Sequence, residues 1–112
     1  MSYNQRDIVL VPFPYSDLSA IKKRPVLIIS NDDFNQKSED VLVCVITSKN
    51  FKDSYSIDIT NDSLEFGILP EDSVIKTFKL FTISKNKIIK KFSIINPSTF
   101  KLVQEKIIEL IK

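Results

Sequence analysis

The stretch Lys22-Lys23-Arg24-Pro25-Val26-Leu27-Ile28-Ile29-Ser30 runs three cations into a proline and then into four branched apolar residues. Proline has no backbone N–H and a fixed φ, so Pro25 suits the first residue of a strand and not its middle. The residue before a proline is pushed toward extended geometry, which sets Arg24 at the lip of that strand. Pro25–Ser30 is then a buried strand. A cation at the end of a rigid strand is held at one place, and a fixed positive charge there suits a phosphate.

Working outward, Asp7–Phe13 is rich in β-branched residues and reads as a first strand, stopped near Pro12 and Pro14. The loop from Pro14 to Lys23 joins it to the second. Asn31–Ser38 is turn chemistry with room for a short helical turn. Val41–Ser48 is almost continuously apolar, as expected of a central strand covered on both faces. It ends in two hydroxyls, Thr47 and Ser48, followed by Lys49. Tyr55–Thr60 alternates as a half-buried strand does. Leu64–Pro70 reads as irregular. Ser73–Ser84 is one bent strand or two short ones, and Lys87–Ile95 is a further strand. The C-terminus is a helix: Asn96 caps it, Pro97 fits its first position, and Phe100, Val103, Ile107 and Leu110 share a face. The expected fold is mainly β with a C-terminal α-helix, a small and partly open barrel.

At 112 residues, 43% hydrophobic and 27% charged, the chain has the size of one domain spanning 1–112. Its longest apolar runs are strand-sized, so no membrane span is expected. Met1–Asp7 holds no apolar signal region, and the one cysteine, Cys44, lies in an apolar run without an intrachain partner. Both point to a cytoplasmic protein with a reduced, buried thiol.

The net charge is only +2 but is unevenly spread. Residues 30–75 carry ten acids against three lysines, and residues 76–112 carry nine lysines against two glutamates. A basic face on a near-neutral protein suits a polyanion, although on charge alone a solvated lysine-rich surface is the better reading. The absence of histidine excludes a histidine-based ribonuclease, a Ser–His–Asp triad and an imidazole zinc site. The single glycine, Gly67, excludes phosphate loops built on several glycines. Chemistry is left to Arg, Lys, Thr, Ser, Tyr and carboxylates.

Taken in order, Asp7–Leu18, Lys23–Ser30, Val45–Ser48, Gly67–Pro70, Ser73–Lys76 and the Asn96-Pro97 helix start resemble the MazF/PemK toxins of type II toxin–antitoxin systems. The ordered set covers nearly the whole chain. The resemblance implies an SH3-like barrel, a homodimer and metal-independent cleavage of single-stranded RNA, usually messenger RNA, without a cofactor. In that reaction a 2′-hydroxyl attacks the neighbouring phosphorus and leaves a 2′,3′-cyclic phosphate. A cognate antitoxin blocks the site.

The matching catalytic positions are Arg24 and Thr47. An arginine fork meets two phosphate oxygens at once, and a threonine hydroxyl donates to the same group. Lys22, Lys23, Tyr15, Ser48, Lys49 and Lys76 are the expected RNA-binding residues. Arg24 and Thr47 meet only if the second and third strands run antiparallel.

This chain also departs from the family pattern. The glycine that often precedes the first Asp-Ile is Arg6. Where many members carry an acid and then an Arg-Thr pair, it has Phe78, Phe81 and Thr82. In some members that acid moves a proton; here Asp17, Asp58 or water is left to do so. Two other readings stay open on the residues: a non-catalytic barrel toxin resembling the CcdB gyrase poisons, and an SH3-like binding module.

Overall fold

A computed structural model describes residues 2–14, 21–48 and 53–112. Seven strands, β1 (Asp7–Pro14), β2 (Ile21–Ile28), β3 (Asp40–Thr47), β4 (Ser56–Ile59), β5 (Leu64–Gly67), β6 (Ser73–Ser84) and β7 (Lys90–Ile95), form one sheet. Two helices, α1 (Asp32–Lys37) and α2 (Pro97–Ile111), complete the described elements beside two short 3₁₀ turns. The sheet order is β4-β6-β3-β2-β1-β7-β5, and every pairing in it is antiparallel.

Both faces of the sheet's centre are covered, as the unbroken apolar run of β3 requires. On one face Ile8, Leu27, Cys44, Ile46, Ile75 and Ile95 pack with Phe100 and Val103 of α2. On the other, Val9, Val11, Val26, Ile28, Val41 and Val43 form a second core, flanked by Phe13 and Phe81. The Phe13 and Phe81 rings meet edge to face with centroids 5.6 Å apart. Their strands, β1 and β6, are separated in the sheet by β2 and β3, about 14 Å if the sheet were flat. The sheet therefore curls on itself into the expected half-open barrel.

Helix α2 starts as its sequence dictates. The Asn96 side chain accepts a hydrogen bond from Thr99 N at 2.8 Å, with Pro97 in the first turn. Phe100 and Val103 are buried and Ile107 is half-buried, but Leu110 stays exposed. No helix among the described residues is long and apolar enough to cross a membrane.

The structure differs from the sequence reading at three places. Pro25 sits inside β2, not at its start, because β2 begins at Ile21 and pairs with β1 on both sides of the proline. Leu64–Gly67, read as irregular, is strand β5 on the sheet edge, with Gly67 at φ 89 beside β7. A methyl group at Gly67 would collide with the Phe92 carbonyl oxygen and Ser93, so this glycine permits the close approach. Lys87 belongs to a 3₁₀ turn, so β7 begins only at Lys90. Strand β6 is the bent strand expected: its pairing with β3 jumps from Leu80 to Lys76, leaving Thr77, Phe78 and Lys79 outside the ladder.

Candidate active site

The strand that carries Arg24 pairs with β1 from Leu27 to Ile21, with Val11 opposite Arg24. Its ladder to β3 is shorter, Val26↔Val45 to Ile28↔Val43. Ladder alternation explains where it ends. Ile28 O accepts from Arg6 N on the β1 side, and Ile29 N donates to Leu42 O on the β3 side. Odd-numbered residues of this strand thus turn their backbone groups toward β3, and Pro25 is the next such residue after Leu27. Pro25 has no N–H to offer Ile46, so the ladder stops and the two strands part.

A cavity of about 370 Å³ lies along the parting. Lys22, Lys23, Arg24 and Pro25 line it from β2, and Ile46, Thr47 and Ser48 from the end of β3. Leu10, Leu69, Pro70, Glu71, Ser73 and Phe92 complete the wall. The antiparallel condition holds. Continued by two residues, the Val26↔Val45 register sets Arg24 opposite Thr47. Both are half-buried, whereas Lys22, Lys23 and Ser48 are exposed. Five residues singled out by sequence thus come together: a guanidinium, two ammonium groups and two hydroxyls around one hollow.

Such a hollow is built for an anion with several oxygens. The guanidinium offers a planar fork, the hydroxyls donate single hydrogen bonds, and the lysines add diffuse positive potential. Among the described residues no group of three or more His, Cys, Asp or Glu is placed to hold a metal ion. Cys44 is no nucleophile here: burial in the first core pushes its thiol up to about 12.

A family model for the PemK-like, MazF-like toxins of type II toxin–antitoxin systems matches residues 4–111. The chain belongs to this family. Solved structures agree on the fold. A MazE–MazF complex from Deinococcus radiodurans superposes with a TM-score of 0.81 at 12% identity, over 99% of this chain and 97% of that one. An endoribonuclease in complex with its cognate antitoxin, from a Mycobacterial species, gives 0.79 at 14%, over 98% and 95%. The Mycobacterium tuberculosis toxin MazF-mt6 gives 0.75 at 20%, over 95% and 96%. Among curated proteins, sequence comparison finds no match.

The other expected site residues of this MazF-like toxin stand elsewhere. Lys76 is buried in β6, its ammonium 3.2 Å from both Asp53 Oδ2 and Ser56 Oγ, and it does not line the cavity. Asp58, opposite Val74 on β4, lies two strands beyond Thr47 and outside the cavity wall. Phe78 is exposed on the β6 bulge with the Lys76 ammonium 6.0 Å from its ring centre. Tyr15, Asp17 and Lys49 lie outside the described residues.

One charged lining residue has no counterpart in the sequence reading: Glu71. It sits with Asp72 in the two-residue break between the family-like segments Gly67–Pro70 and Ser73–Lys76. An acid following a proline, between two matched segments, was the available signal.

Proposed function

We propose that this chain is a metal-independent endoribonuclease toxin. It cleaves single-stranded RNA, messenger RNA in the cell, by attack of a 2′-hydroxyl on the adjacent phosphorus, giving a 2′,3′-cyclic phosphate and a 5′-hydroxyl. Arg24 grips the non-bridging oxygens as charge builds on them, and Thr47 donates to the same phosphate. Lys22, Lys23 and Ser48 hold the flanking backbone. Membership of the family and the endoribonuclease activity of proteins with similar structures support the reaction class. The observation that carries the residue assignment is that Arg24 and Thr47 line one cavity just beyond the end of the β2–β3 ladder.

The toxin acts in the cytoplasm as a homodimer and is silenced by a cognate antitoxin. Similar folds from Deinococcus radiodurans and Mycobacterial species are described as complexes of toxin with antitoxin, which supports that pairing. The test is incubation of the purified dimer with single-stranded RNA in EDTA. Fragments ending in a cyclic phosphate are the expected result. Intact RNA beside a folded protein would reject the enzyme reading, and capture of gyrase without RNA cleavage would replace it with the non-catalytic barrel toxin.

A further inference from the structure

We propose that Glu71 is the general base that takes the proton from the attacking 2′-hydroxyl, an inference that rests on the ribonuclease reading above. The cavity wall narrows the choice. Of its thirteen described residues, Glu71 is the one carboxylate. Lysine and arginine side chains are charged donors near neutral pH and accept nothing. The chain has no histidine, and Cys44 is sealed in the core. The Glu71 carboxyl is therefore the one acid–base group of acceptor type on the described wall.

The local backbone fixes where Glu71 enters the wall. Leu69 is buried in the first core, and its N–H donates to Asn61 Oδ1 at 2.8 Å. Pro70 follows with a fixed φ. Ser73 Oγ donates to the Glu71 carbonyl oxygen at 3.0 Å, closing the turn just before β6 begins. Glu71 comes three residues ahead of Val74, which pairs with Thr47, and it lines the hollow together with Thr47 and Ser48. Glu71 is exposed, which keeps a path to water for the proton.

The step balances without any other reactant. The 2′-oxygen gives its proton to the Glu71 carboxylate and forms a bond to phosphorus. The P–O5′ bond breaks, its electron pair stays on O5′, and O5′ takes a proton from water. Glu71 then returns its proton to solvent. Arg24 and Thr47 stabilise the charge on the phosphoryl oxygens throughout.

The experiment compares wild type, Glu71→Gln and Glu71→Asp on a single-stranded RNA oligonucleotide in EDTA, from acidic to neutral pH. A positioned base contributes about 10²–10⁴-fold. The expected result is a fall in kcat of about 100-fold or more for Glu71→Gln with little change in KM. Wild type should lose rate on the acid side of the profile, Glu71→Gln should show no such limb, and Glu71→Asp should recover part of the rate. Melting temperatures should match, since the side chain is exposed. If Glu71→Gln keeps wild-type kcat, or raises KM alone with the acid limb intact, Glu71 is an ion-pair partner of the cavity lysines and this inference is overturned while the ribonuclease reading stands. A wild type that leaves RNA intact overturns both.

Discussion

Strand β3 has a neighbour on each side, and the two sides treat a lysine in opposite ways. On the β2 side the ladder stops at Val26, and beyond it Lys22 and Lys23 stand exposed at a cavity. On the β6 side the ladder runs on to Thr47↔Val74, and Lys76 inside it is 7% exposed. A lysine whose strands have parted keeps its water and can meet a ligand. A lysine inside an intact ladder loses that water and must be matched, here by Asp53 and Ser56. The same side chain is a binding group in one place and a clasp in the other, and the pairing of the backbone decides which.

The contrast can be tested by breaking each side. The largest effect is expected at the open side. Arg24→Ala should lower RNA cleavage by about 10²–10³-fold, the usual cost of removing a preorganised donor at developing charge. Stability should change little. Equal cleavage by this variant would move the site elsewhere.

Next comes the closed side. Lys76→Ala should cost about 0.5–3 kcal/mol of unfolding free energy in denaturant titration, because the buried lysine stem loses its packing and its ammonium no longer ties Asp53 to Ser56. Cleavage well below the melting temperature should persist; a loss of cleavage with stability intact would erase the distinction between the two sides.

The same variant carries a pH signature. Burial acts to raise the Asp53 carboxyl, but hydrogen bonds from Tyr55 N–H, the Ser56 hydroxyl and the Lys76 ammonium outweigh it and hold the group below its ordinary 3.8. A carboxyl lowered on folding adds stability above its unfolded value and loses it as pH falls through the folded one. The acid loss of stability below about pH 4 should therefore be shallower in Lys76→Ala than in wild type.

The smallest effect belongs to the exposed lysines. With both Lys22 and Lys23 changed to Gln, kcat/KM should drop a few-fold. Its log–log salt slope should flatten by about 1.4, near 0.7 for each single-strand phosphate left without its lysine. An unchanged slope would mean that these cations do not touch RNA.

Much of this was legible in the residues because the signals were local. Asn96 and Pro97 start a helix by cap chemistry alone, and Phe100 and Val103 mark its buried face. The apolar run of β3 announces two covered faces. That Arg24 and Thr47 line one cavity follows from the antiparallel pairing of β2 and β3. What escaped notice depends on distant partners. Strand β5 has no apolar alternation of its own and exists because β7 pairs with it. The fate of Lys76 is set by Asp53, 23 residues away. Arg6 shows a departure made tolerable: it holds φ 81, the region that favours glycine, and its guanidinium donates to Ile95 O and Glu65. Glu71 was hidden because the cavity it lines is built mainly from other strands, distant in the chain.

Pro25 carries a wider lesson about what selection can and cannot improve in this protein. Any residue with an N–H at position 25 would let β2 and β3 zip one step further, toward Ile46. The sheet would gain a rung and the hollow would narrow. The fold is thus held short of its own optimum at one imino nitrogen, so a search for hardier variants should be drawn to this position and should return proteins that melt later and cut less.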